Sequence, residues 1–303
     1  LNRNLLTLAA LDRGDMEQLF ARAAELKERR KQGITDQLLL GSALGLVFDK
    51  HSTRTRLSFE VAAIQLGGVP IFISSRDTQM ARNEPVRDTA RVLSRYLDIV
   101  AIRTYSQRFL EEFAEAAGIP VINALTDLYH PCQVLSDLLT VIEKKGGYQG
   151  IKFAWVGDGN NMANSWINAA SVLDLELTLA CPEGYGPDPA VLEAAKARDG
   201  RISLTRDPRE AVSGADVVNT DVWASMGQEK EQGEREKVFQ PYQLNGDLLA
   251  GAAADAVVMH CLPAHRGEEI SEEVLEGPRS VVWDQAENKL HMHKAILDIL
   301  LQH

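Results

Sequence analysis

Cysteine is scarce in this chain: three among 303 residues, Cys132, Cys181 and Cys261, with no Cys-x-x-Cys spacing. A disulfide framework is excluded, and a reducing, cytoplasmic setting is expected. No apolar run approaches the ~18 residues that a membrane span needs. The seven histidines form no His-Glu-x-x-His or related spacing. His291 and His293, two apart, do not share a helix face, so no metal is expected. Residues 1–10 carry one arginine and no cleavage-site pattern before Asp12-Arg13-Gly14-Asp15, and no signal peptide is read there. Positive charge is in deficit, with 32 Lys and Arg against 43 Asp and Glu and a net charge of −11. That balance argues against nucleic acid as a principal partner, while a local basic pocket remains compatible with it.

What is present is ordinary globular material: 45% hydrophobic and 25% charged residues. The length suggests two domains at about 150 residues each. Short apolar runs alternate with helical periods, the signature of βαβ units and parallel sheets. In the first half, strands are expected at 43–48, 69–73, 99–102 and 120–123. Helices are expected at 16–30 behind an Asp15 cap, 53–66, 85–97 and 107–117. A longer helix from Pro131 to Lys145 ends at Gly146-Gly147, and the alternation restarts. Strands then fit 152–156, 175–180, 202–204, 217–219, 257–259 and 281–283, with helices at 162–173 and 286–301. The fold class expected is α/β: two parallel-sheet domains with helices on both faces, linked by interdomain helices. The polar stretch from Met226 to Lys237 reads as a solvated, mobile loop.

Ligands of open parallel sheets bind beyond the carboxyl ends of strands. Six polar clusters fall at such ends. After the 43–48 strand, Ser52-Thr53-Arg54-Thr55-Arg56 offers an N-cap, helix-start N–H groups and cations, which make either a phosphate cradle or a capped helix with surface arginines. Glu60 could take one of those arginines as an internal ion pair. Arg103 ends the 99–102 strand. His130-Pro131-Cys132-Gln133 places two hydrogen-bonding side chains at a helix start, with Pro131 at its first position. Gly157-Asp158-Gly159-Asn160-Asn161-Met162 resembles half a dinucleotide fingerprint, but Met162 and the missing ribose acid speak against that cofactor. Asn160 and Asn161 suit either substrate binding or capping. Asp221 to Gly227 brings a carboxylate and a hydroxyl, a set that could hold an ammonium group. His260-Cys261-Leu262-Pro263 places a thiol at a strand end, where it is either inert or a polar group facing a cleft.

Four of these motifs, Ser52-Thr53-Arg54-Thr55, His130-Pro131-Cys132-Gln133, Asp221 to Gly227 and His260-Cys261-Leu262-Pro263, come in the order seen in the aspartate/ornithine carbamoyltransferase family. The resemblance covers essentially the whole chain, and the last two motifs point to the ornithine branch. It implies a cofactor-free transfer of the carbamoyl group of carbamoyl phosphate to an amine, in arginine metabolism. It implies a carbamoyl-phosphate-binding domain at 1–133, an ornithine-binding domain at 134–285, and a helix at 286–303 packing back on the first. Ser52, Thr53, Arg54, Thr55 and Arg103 would bind phosphate, and His130, Gln133, Thr55 and Arg103 the carbamoyl group and its developing oxyanion. Asn161, Asp221, Ser225 and Met226 would bind ornithine. Cys261 and Leu262 would lie by the carbamoyl amide and the attacking amine, with Arg103, His130 and Cys261 as the catalytic groups. Gln79 looks like a residue lent by a neighbouring subunit, which implies a homotrimer or a multiple of trimers. One departure stands out: the arginine the family often places after Ala-Glu-Asn is Lys289 here. It keeps the charge but loses the bidentate fork, which puts its role as a carbamoyl ligand in doubt.

Within the family, aspartate as acceptor is disfavoured by Asp221, while putrescine and acetylated ornithine are left to a selectivity measurement. Outside it, the rivals are a dinucleotide oxidoreductase and a non-catalytic phosphate-binding regulator.

Overall fold

The computed structural model describes residues 3–74, 84–198, 200–224 and 232–302. The chain divides into two compact units, Leu1–Leu139 with Glu287–His303, and Thr140–Ala286. Each is built on one all-parallel sheet.

The first unit holds β1 (Ala43–Phe48), β2 (Val69–Ser74), β3 (Ile99–Arg103) and β4 (Val121–Leu125), in the order β2-β1-β3-β4. Its helices are α1 (Arg13–Lys31), α2 (Arg54–Gln65), α3 (Val86–Leu93), α4 (Gln107–Ala116) and the start of α5 (Pro131–Lys145). In the second unit, β5 (Lys152–Val156), β6 (Glu176–Ala180), β7 (Ile202–Thr205), β8 (Val217–Thr220) and β9 (Val257–His260) lie in the order β7-β6-β5-β8-β9. They alternate with α6 (Asn161–Leu173), α7 (Pro189–Lys196), α8 (Pro208–Val212), α9 (Gln232–Phe239), α10 (Gly246–Leu249) and α11 (Glu272–Leu275). The chain passes between the units within α5 and again within α12 (Val282–Leu301).

Central strands β1, β3 and β8 are buried almost end to end, as expected of parallel strands covered on both faces. One face of the first sheet packs Val47, Val100, Ile102 and Val121 against Leu110 and Phe113 of α4 and Ala90 of α3. In the second unit Ala154, Val156, Val218 and Val258 meet Val212, Leu248 and Leu275. The residues of α12 from 287 onward join the first unit. The His293 ring stacks on Phe59 of α2 at 3.6 Å, and Lys27 of α1 donates to Asn288 at 2.6 Å.

Both strand orders reverse direction once. The chain runs from β1 outward to β2, then returns to the other side of β1 to lay down β3. From β5 it runs to β6 and β7, then returns to β8. The reversals leave crevices beside the ends of β1 and β3, and of β5 and β8. Register puts Phe48 opposite Arg103, and Val156 opposite Thr220.

Several boundaries differ from the sequence reading. The α1 cap is Asp12, whose side chain accepts from Asp15 N–H while Asp15 accepts from Asp12 N–H, a capping box in which Asp15 is the third helical residue. Residues 281–283 are not a strand: Val281 N–H bonds Val258 O, and α12 begins at Val282. There the apolar Val-Val-Trp run reads like a strand but starts an amphipathic helix. Residues 232–237 are helical within α9 and not a loop; they are solvent-exposed as expected except for Arg235, which is buried. The remainder of that stretch, 226–231, lies outside the described residues.

Candidate active site

The carboxyl edge of the first sheet gathers cations and helix-start N–H groups. Ser52 is not the formal cap of α2. Thr53 occupies that place in helical conformation, and Ser52 Oγ accepts from Thr55 N–H at 3.2 Å instead. Thr55 is buried, while Thr53 and Arg54 are exposed at the helix start. Glu60 pairs with Arg56 at 2.8 Å, not with Arg54. Arg56 also lies 3.6 Å over the Phe72 ring, so Arg54 is the arginine left turned to solvent.

Arg103 ends β3, nearly buried, and its carbonyl accepts from Asp49 N–H beyond β1. His130 precedes Pro131, the first residue of α5, as the proline geometry requires. Burial, then the nearby charges of Lys289, Arg103 and His293, hold His130 well below the usual histidine range. It is a neutral imidazole at physiological pH and offers one N–H to an oxygen without carrying charge.

Lys289 of α12 reaches this group. Its Nζ donates to Gln133 Oε1 at 2.8 Å, and Gln133 Nε2 donates to Asp137 Oδ1 one turn along α5, also at 2.8 Å. All three side chains are buried. The structure therefore brings Arg103, His130, Gln133 and Lys289 into one cationic neighbourhood. A buried positive cluster suits an anionic ligand. Asp137, which sequence reading missed, fixes the orientation of the Gln133 amide; its place one helical turn after Gln133 was the available signal.

The carboxyl edge of the second sheet is acidic. Asp221 follows β8, buried, and its carboxylate is held at both oxygens. Oδ1 accepts from the Cys261 thiol at 3.1 Å and from Val222 N–H at 2.9 Å, and Oδ2 accepts from Asn160 Nδ2 at 2.9 Å. Asn160 also caps α6, its Oδ1 accepting from Met162 and Ala163 N–H. Asn160 thus both caps the helix and holds Asp221, whereas Asn161 is the first helical residue, half-buried. Gly159 lets this turn sit against the 186–187 backbone, where an added Cβ would come within 2.1 Å of Gly186 C.

Cys261 and Leu262 follow β9. Leu262 takes a left-handed φ of 58°, unusual for a branched residue, and is held there by its N–H bonding His260 Nδ1 at 2.9 Å. The other His260 nitrogen meets buried Glu269 at 3.0 Å. Asp221, His260 and Cys261 cluster closely enough to suggest a metal set, but both His260 nitrogens already have partners. His265, Glu268 and Glu269 form a second cluster, in which Glu269 Oε1 already accepts from His260 and from His265 N–H. The other two cysteines are buried and pushed up to about 12 by burial, which leaves them protonated and inert. Gln79, Ser225 and Met226 lie outside the described residues.

Residues 3–143 match the family model described as the carbamoyl-P binding domain of aspartate/ornithine carbamoyltransferase, and residues 149–300 match its Asp/Orn binding domain. A protein of Geobacter metallireducens named ornithine carbamoyltransferase is 59% identical over 303 residues, all of this chain and all of its own. One of Pseudomonas aeruginosa, named anabolic ornithine carbamoyltransferase, is 54% identical over 99% of this chain and 98% of its own. The solved structure of the Pyrococcus furiosus ornithine carbamoyltransferase superposes with a TM-score of 0.93 at 47% identity, covering 97% of this chain and 95% of its own. The cationic first edge, the acidic second edge and these full-length matches converge, and the chain belongs to the aspartate/ornithine carbamoyltransferase family.

Proposed function

We propose that the protein transfers the carbamoyl group of carbamoyl phosphate to the side-chain amine of L-ornithine, releasing L-citrulline and phosphate. The observation that carries the choice of acceptor is the Asp221 carboxylate, held by Asn160 and Cys261 at the end of β8. A fixed carboxylate there suits an α-ammonium group and repels a second acid such as aspartate.

Ser52, Thr53, Arg54, Thr55 and Arg103 are assigned to the phosphate, and Gln133, His130 and Arg103 to the carbamoyl oxygen. Lys289 is assigned to the same group through its bond to Gln133. The substrate is a mixed anhydride whose phosphate is already a good leaving group. The residues therefore have to orient the reactants and stabilise the oxyanion that forms as the amine adds to the carbonyl carbon. Neutral His130 donates a hydrogen bond, and Arg103 supplies the charge. Asn161, Asp221, Ser225 and Met226 are assigned to the ornithine backbone, and Cys261 and Leu262 to the carbamoyl amide and the attacking amine.

The assembly proposed is a homotrimer or a multiple of it, with Gln79 lent across the boundary. Among the described residues β2 is an edge strand whose Val69, Ile71 and Phe72 are exposed, beside α2 with exposed Leu57 and Ile64. Such an apolar edge favours cover by a second copy. No described helix is long and apolar enough to cross a membrane, and the thiols of Cys132, Cys181 and Cys261, none in a disulfide among the described residues, suit a cytoplasmic setting. The anabolic relative supports a biosynthetic direction.

A colorimetric assay for ureido product, run with carbamoyl phosphate and in turn ornithine, putrescine, acetylornithine and aspartate, tests the assignment. Product with ornithine alone is expected. Equal rates with acetylornithine, whose α-nitrogen is an uncharged amide, would remove the role given to Asp221.

A further inference from the structure

We propose that Arg235 is a positioning residue for the amino-acid substrate, acting through Asp158 and the Trp223 carbonyl to keep Asp221 ready for the incoming ammonium group. The proposal rests on the reading of Asp221 given above.

Arg235 stands on α9 and is only 6% exposed. Its Nη1 donates to Asp158 Oδ2 at 3.2 Å and to Trp223 O at 2.6 Å. The guanidinium also lies over the Tyr185 ring at 4.8 Å and by the Phe239 ring at 5.7 Å. One side chain thereby joins the exits of the two strands at the crevice. Asp158 belongs to the turn after β5, two residues before the Asn160 that holds Asp221. Trp223 stands two residues beyond Asp221 on the exit from β8.

The electrostatics give this link a purpose. Asp158 is buried, and burial raises its carboxyl to about 6; Arg235 opposes the rise, and the charge of Asp221 adds to it. The two buried carboxylates therefore repel each other across the turn. Arg235 neutralises Asp158 and leaves Asp221 to answer a cationic ligand. Without the guanidinium, Asp158 either takes a proton or repels Asp221, and the backbone beyond Asp221 loses its tie to α9. Both consequences fall on the ammonium site.

The test measures kcat, KM for each substrate and melting temperature for the full-length R235M, R235K, D158N and R235M/D158N proteins, with D221N alongside. R235M is expected to raise the ornithine KM about tenfold or more, as the loss of a charge-assisted hydrogen bond implies, with the carbamoyl-phosphate KM within about twofold. Adding D158N should recover part of that loss, because it removes the stranded carboxylate. R235K keeps the charge and should fall between parent and R235M; should R235M fail to fold, R235K decides by the same split. An ornithine KM within about twofold of the parent, or equal shifts in both KM values, overturns the role of Arg235. If D221N raises the ornithine KM and R235M does not, the role of Arg235 falls alone; if D221N leaves the ornithine KM unchanged, the ammonium reading of Asp221 falls and the proposal falls with it.

Discussion

At the scale of single residues, what matters is which polar groups are buried together. Lys289 shows this well, because it stands where the family often places arginine. Its ammonium is a point charge with no fork, yet it finds a buried amide oxygen on Gln133. K289M should leave that oxygen unsatisfied and lose about 1–3 kcal/mol of stability, the usual penalty for an orphaned buried acceptor. Chemical denaturation would read that loss, and initial-rate kinetics should show a raised carbamoyl-phosphate KM. K289R, which keeps the charge, should retain most of both; a K289M protein indistinguishable from the parent in denaturation and kinetics would discard the contact. His130 carries a different expectation. As a neutral donor to a developing oxyanion, its replacement by alanine should lower kcat about a hundredfold to a thousandfold in initial-rate kinetics. Because its folded pKa lies well below 6.5, no inflection in kcat between pH 8 and pH 6 should trace to it.

At the scale of elements, helix starts carry much of the local design, and they separate structure from function cleanly. Asp12 closes a capping box on α1, a helix that carries none of the assigned site residues. D12A should cost about 1 kcal/mol in the melting transition and leave the kinetic constants alone. Asn160 caps α6 in the same manner but also holds Asp221. N160A should lose a similar ~1 kcal/mol and in addition raise the ornithine KM, so the pair of mutants isolates the functional share of one cap. Equal kinetics for D12A and N160A would reduce Asn160 to a helix cap. These two caps also mark how legible the elements were. The start of α6 at Asn161 falls within a residue of the expected 162, whereas α1 begins three residues before the expected 16, because Asp15, read as the cap, is the third helical residue of a box closed by Asp12. The strand expected at 281–283 failed because three apolar residues fit a buried strand or a helix face equally well, and only the packing of Val282 decides.

At the scale of the whole molecule, buried titratable groups set the response to acid. His130 and His293 are held neutral by burial and by neighbouring Lys289, and His291 is lowered to about 4 by burial, Lys27 and Lys294. The unfolded chain protonates each near 6.5, whereas the fold does not. Their stabilising share is therefore complete above pH 6.5 and is lost as pH falls below it, by up to about 1.4 kcal/mol per pH unit for each fully buried histidine. Asp158 works in the opposite sense. Its folded value of about 6 lies above its ordinary 3.8, so between those limits the fold binds the extra proton and gains on acidification. Three groups against one give a net loss. The melting temperature should fall steadily from pH 7 to pH 5, and H293Q should flatten the fall; a flat profile in the parent would contradict the buried neutral histidines. Assembly belongs to the same scale. A V69K/I71K protein should sediment at lower mass than the parent if the β2 edge is an interface, and an unchanged mass would move the interface elsewhere.

The sequence by itself determined the fold class and most of the element order, because period and caps act over a few residues and need no distant partner. It also located the strand-end clusters, since parallel strands announce where their carboxyl ends lie. It could not tell which of those clusters belong together. Asp221 meets Asn160 and Cys261 from 61 and 40 positions away, Lys289 meets Gln133 across 156, and Arg235 meets Asp158 across 77. Those meetings depend on strand order, and strand order is settled by how the sheets fold back on themselves around their first strands. Whether Asn160 is a cap or a site residue, and whether Arg235 belongs to a loop or a buried ion pair, follow from the same tertiary packing. A residue's local pattern is the same in each case; only the partner that the fold delivers gives it a role.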